Sequence, residues 1–70
     1  MTAKDFLAWM EQTGHASGAD ITRSLGLGRN QAQTLVARAR AGEDVQIKPA
    51  IALAMTAIAN GLRPWDQYDR

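Results

Sequence analysis

Residues 17 to 35, SGADITRSLGLGRNQAQTL, decide the fold: Ile21, Leu25, Leu27, Ala32 and Leu35 are spaced so that two short helices either side of Gly26 share one buried seam. A helix that stops after Leu25 needs a residue able to turn left-handed just past its end, and Gly26 does so without a Cβ clash. Ser17 followed by Asp20 has the form of a capping box with Asp in place of Glu or Gln, and a carboxylate suits the positive end of a helix dipole. These signals predict a first helix over about residues 18 to 25.

The second helix of the pair, from about Arg29 to Arg40, separates its residues by chemistry when they are wound at about 100° per residue. Ala32, Leu35, Val36 and Ala39 fall on one arc; Arg29, Asn30, Gln33, Thr34 and Arg40 fall on the other, with Ala37 among them as a helix former. Glu and Lys pairs usually fill a solvated helix face. This face has no acid and offers Arg, Asn and Gln, the side chains that bond bidentately to guanine and adenine edges. The pattern predicts a helix-turn-helix whose second helix enters the major groove of duplex DNA. Arg29, Asn30, Gln33 and Thr34 are then expected to reach base edges. Ser17, Arg23, Gln31, Arg38, Arg40 and Lys48, at helix ends or flanks, are expected to hold phosphates.

Residues 17 to 35 resemble the helix-turn-helix of the phage Cro and repressor class, the XRE-like regulators. In that family a Ser or Thr caps the first helix, an aliphatic residue precedes a small one, a Leu-Gly-aliphatic triplet turns the chain, and two apolar residues anchor the recognition helix. Here Ser17, Ile21 with Thr22, Leu25-Gly26-Leu27, and Ala32 with Leu35 hold those places. The segment from Ile47 to Ala54 resembles the family's proline-started helix, and Gly61-Leu62-Arg63-Pro64-Trp65 resembles the ending of many very short members. Thr22 stands where alanine is usual, Gly18 where a glutamine often touches phosphate, and Gly28 where a Ser or Thr commonly caps the recognition helix. Gly28 to Gly42 runs about one turn longer than in typical short members, so Arg38 and Arg40 have no family counterpart and their roles come from geometry.

Outward from the pair, Thr2 with Asp5 forms another capping box, and Ala3, Phe6, Leu7 and Met10 recur at helical spacing before Thr13-Gly14 ends the helix. After it, Pro49 starts an alanine-rich buried helix that Asn60-Gly61 ends. Trp9 and Trp65 are assigned to packing rather than base stacking, Trp65 as an anchor for the tail. Seventy residues with 46% apolar content predict one compact all-α domain, a bundle of four to five short helices.

The net charge of +1 conceals an uneven distribution. Lys4 against Asp5, Glu11 and Asp20 leaves the first 22 residues at −2, while Arg23, Arg29, Arg38, Arg40 and Lys48 against Glu43 and Asp44 bring residues 23 to 48 to +3. Arg63 and Arg70 cancel Asp66 and Asp69 in the tail, where the acids, like Glu43 and Asp44, read as solvated. Basicity thus collects around the proposed reading helix, as phosphate attraction requires.

The lack of cysteine excludes disulfides and thiolate ligands, and one histidine with scattered carboxylates does not make a metal site. No cofactor is expected. His15 lies two residues from Ser17, but a nucleophilic pair also needs an orienting acid and an oxyanion site. Gly26-Leu27-Gly28 is not a nucleotide loop, since Gln31 stands at the third glycine position and no strand precedes it. The absence of a cleavable signal or an 18-residue apolar run predicts a soluble protein of the bacterial cytoplasm or nucleoid, without a membrane partner.

A single small domain contacts few base pairs, so a homodimer on an inverted-repeat operator is expected, with half-sites about 34 Å apart. On the 49 to 60 helix Leu53 lies opposite Ile51, Met55 and Ile58, and with Leu62 and Trp65 it marks a dimer surface or a seat for the tail. The expected function is a non-enzymatic transcriptional regulator, a repressor. The resemblance to short phage and mobile-element regulators implies an autorepressor, a kind that includes those accompanying anti-CRISPR genes. The rival is a protein-interaction adaptor with this fold and no DNA binding. RNA binding ranks lower, because its single-strand modules usually place stacking aromatics near basic residues.

Overall fold

Each segment with a helical pattern is a helix. The computed structural model describes residues 1–68, and over these Ala3–Thr13 (α1), Gly18–Leu25 (α2), Arg29–Arg40 (α3) and Pro49–Ala59 (α4) form an all-α bundle, followed by one 3-10 turn at Trp65–Gln67. Asp69 and Arg70, assigned to a charge-balanced tail, lie outside the described residues.

The core forms where one face of α1 meets the seam between α2 and α3. Ala3, Phe6, Trp9 and Met10 of α1 pack with Ile21 of α2, with Ala32, Leu35, Val36 and Ala39 of α3, and with Met55 of α4. Leu7, Leu25, Leu27, Ile47, Ile51 and Ile58 close the margin. The Thr2 hydroxyl caps α1 by accepting the Asp5 N–H at 3.1 Å. Trp9 is a packing residue, and its indole N–H donates to the Met55 carbonyl at 2.8 Å, fastening α1 to α4. Val45 is a core residue that periodicity does not reveal, because it stands alone in a polar loop. Its N–H and carbonyl each bond Met1, both at 2.9 Å, which ties the α3–α4 loop to the chain start.

Three local expectations are corrected. Ser17 is the N-cap of α2, but its side chain makes no capping bond. The backward half of the box is present in another form: Asp20 accepts the Ala16 N–H, just ahead of the helix, at 2.8 Å with one carboxylate oxygen and pairs with Arg23 through the other. Secondly, α4 is not a buried helix: only Met55 is buried, and Leu53 is 72% exposed. An alanine-rich helix is slim enough to lie on the surface with one side uncovered. Thirdly, Trp65 is 74% exposed and does not anchor the tail in the core. The tail is organised by Tyr68 instead: its hydroxyl accepts the Arg63 N–H at 2.9 Å, and the Arg63 guanidinium lies over its ring at 4.7 Å. With Leu62 also exposed, the tail does not cover Leu53. No helix among the described residues is long and apolar enough to cross a membrane.

Candidate nucleic-acid interface

The seam places α2 back along α3. The Arg40 guanidinium donates to the Ala16 carbonyl at 2.8 Å, Gly18 lies against Gln33, and Ala19, Thr22 and Arg23 share a cleft of about 220 Å³ with Arg29 and Gln33. Gly26, with φ 71°, makes the turn that permits this return. The Thr22 hydroxyl is buried without a hydrogen-bond partner among the described residues.

Burying Ala32, Leu35, Val36 and Ala39 leaves the opposite side of α3 in solvent, where Arg29, Asn30, Gln33 and Thr34 are all exposed. They form two adjacent rows, as helical spacing dictates. Arg29 and Gln33 border the α2 cleft; Asn30 and Thr34 border a second cleft of about 430 Å³ with Gln31, Arg38 and Gln46. Gln46 is the residue missed by sequence reasoning. A glutamine in an irregular loop has no period, and its position two residues before Lys48 is the one available signal. Lys48 stands apart, with Gln31, on a groove floored by Leu27, Ile47 and Ile51. Ser17 is exposed in the loop before α2.

The cations are not equivalent. Arg23 is paired with Asp20, and Arg40 is engaged by a carbonyl. Arg29, Arg38 and Lys48 have no acidic partner among the described residues. The first turn of α3 carries no acid, so the positive end of its dipole and the Arg29 charge are left for an outside anion. Arg38 and Arg40 lie in the last turn, where they also complement the negative end.

Gly28, the N-cap of α3, has φ −61° and ψ 151°, and a Cβ built there meets nothing within 4 Å. A serine hydroxyl would accept from the first turn, so Gly28→Ser should stabilise the fold by roughly 0.5–1 kcal/mol. The urea midpoint should rise with an unchanged m-value; an unmoved midpoint would show that the α3 start is already satisfied.

The N–H of Ala16 holds the Asp20 carboxyl below the ordinary Asp value; desolvation opposes it, and the Arg23 guanidinium adds to the lowering. A depressed folded pKa adds stability that is present above the unfolded value, about 3.9, and is lost as pH falls through the folded pKa. The urea midpoint of Asp20→Asn should therefore lie below wild type at pH 7 and converge on it toward pH 3. A gap that stays constant over that range would remove Asp20 from the acid response.

His15 has a structural place. The Thr13 hydroxyl gives its proton to the Trp9 carbonyl at 2.6 Å, so it accepts from His15 Nδ1–H at 2.6 Å, and in the neutral ring Nε2 accepts from the Ser24 hydroxyl at 2.8 Å. The ring stacks on Trp9 with centroids 4.4 Å apart. Its hydroxyl partners are Thr13 and Ser24 rather than Ser17, and no group of three or more potential metal ligands occurs among the described residues.

No protein-family description, curated protein or solved structure matches this chain.

Proposed function

We propose that this chain binds double-stranded DNA in a sequence-specific manner, with α2 and α3 acting as a helix-turn-helix, and that it regulates transcription as a repressor occluding its promoter. The observation that carries the proposal is the exposed side of α3, where Arg29, Asn30, Gln33 and Thr34 stand together with no acid among them and no side-chain hydrogen bond or ion pair to the rest of the chain. Arg and Asn or Gln are the side chains that distinguish guanine and adenine in the major groove. Arg38 and Gln46 flank this side, and Arg23 becomes available to a phosphate by leaving Asp20. An autorepressor of a phage or mobile-element operon, acting in the bacterial cytoplasm, is the biological setting we propose.

The proposal includes a homodimer on an inverted repeat, for which Leu53, Leu62 and Trp65, at 72%, 58% and 74% exposure, offer apolar surface. The test is selection of bound duplexes from a random pool at two salt concentrations. A palindromic motif, with affinity falling steeply as salt rises, supports a dimeric reader. Sedimentation as a monomer on the selected duplex removes the dimer. No enrichment at either salt concentration removes the DNA proposal and transfers the exposed apolar residues to the adaptor alternative.

A further inference from the structure

Gly18 is the first residue of α2 and has no positive φ, so nothing in its backbone asks for glycine. Alanine is the better helix former at such a place. The reason for glycine lies across the seam: a Cβ on Gly18 would stand 3.1 Å from Cγ of Gln33, 3.1 Å from its backbone nitrogen and 3.2 Å from its Cα. Two of these atoms belong to the backbone of α3, which would have to give by a few tenths of an ångström to admit the Cβ. The Gln33 Cγ occupies the space beside Gly18 that such a Cβ would need. One turn further along α2, the Thr22 hydroxyl is buried on the same side of the helix.

We propose that Gly18 is a positioning residue for base recognition: its missing side chain fixes the distance of α3 from α2 at Gln33 and the rotamer from which the Gln33 amide reaches the groove. This rests on the DNA proposal above. Most of the reach of Gln33 is then settled before DNA arrives, so less rotamer freedom is lost on contact.

Two measurements test it. In the free wild-type protein, side-chain couplings by NMR should show one χ1 rotamer for Gln33, while Gln31, exposed on the same helix, averages among several; averaging at Gln33 like that at Gln31 overturns the proposal without reference to DNA. On DNA, duplex selection with Gln33→Ala identifies the base pair whose preference depends on Gln33. Gly18→Ala should lower the preference at that pair about fivefold or more, with smaller losses at the other positions, and should add nothing at that pair in the Gln33→Ala background. Ile21→Val, which loosens the core from the same helix, supplies the stability control. A uniform loss at all positions, matched by Ile21→Val at equal loss of thermal stability, overturns the proposal. Failure of the wild-type chain to select any motif sinks the DNA proposal itself, and the positioning role with it.

Discussion

Phe6→Ala should leave the chain largely unfolded at 25 °C. Phe6 is fully buried, packs with Trp9 at a ring separation of 6.2 Å, and belongs to the α1 face that closes over the α2–α3 seam. Truncating such a phenylalanine costs about 3–5 kcal/mol, because the lost transfer energy is joined by that of a cavity the neighbours fill only in part. A single core in a chain of this size rarely supplies more than about 3–5 kcal/mol in total. The far-ultraviolet helical signal should therefore collapse, while Phe6→Leu, which refills most of the space, should keep a cooperative transition at a lower midpoint. A Phe6→Ala protein that melts cooperatively with a loss below about 1 kcal/mol would show that the core is not centred on this ring.

The second large effect concerns recognition without stability. Arg29→Ala combined with Gln33→Ala should reduce affinity for the selected duplex by at least about 30-fold, since each lost base contact costs about 1–3 kcal/mol. The two positions are one helical turn apart and border the same cleft, so their effects need not add. Binding to random DNA should fall much less, by the single charge removed, with the salt slope smaller by about one. Both side chains are exposed, so the thermal midpoint should barely move. Equal losses on selected and random duplexes would place these residues on phosphates rather than bases. An unchanged affinity would remove α3 from the interface.

The helix boundaries were legible because each has a chemical mark: Thr2 before α1, Gly26 after α2, Pro49 at the start of α4 and Asn60-Gly61 beyond it. The buried side of α3 was equally legible, since four apolar residues recur at its period. What a period cannot convey is which atoms of different helices meet. The contact of Gly18 with Gln33, the arrival of Gln46 beside Asn30 and the burial of Val45 all depend on the return of one segment upon another. Ser17 was assigned as a capping side chain by its type, yet its hydroxyl makes no capping bond and the carboxylate three residues on reaches back to Ala16 instead. Trp65 was assigned to packing as an anchor for the tail, yet it is exposed, because residue type alone does not tell whether the chain around it reaches the core.

The division of labour along α3 bears on how such a domain can change over generations. Ala32, Leu35, Val36 and Ala39 carry the packing, while the side chains of Arg29, Asn30, Gln33 and Thr34 make no hydrogen bond or ion pair with the rest of the chain. Substitutions among these four side chains can accumulate while the bundle keeps its melting behaviour, so intermediates on the way to a new preference remain viable proteins. Gly18 is constrained differently: the atoms a Cβ there would meet include the backbone of Gln33, so a side chain at 18 presses on α3 whatever residue stands at 33.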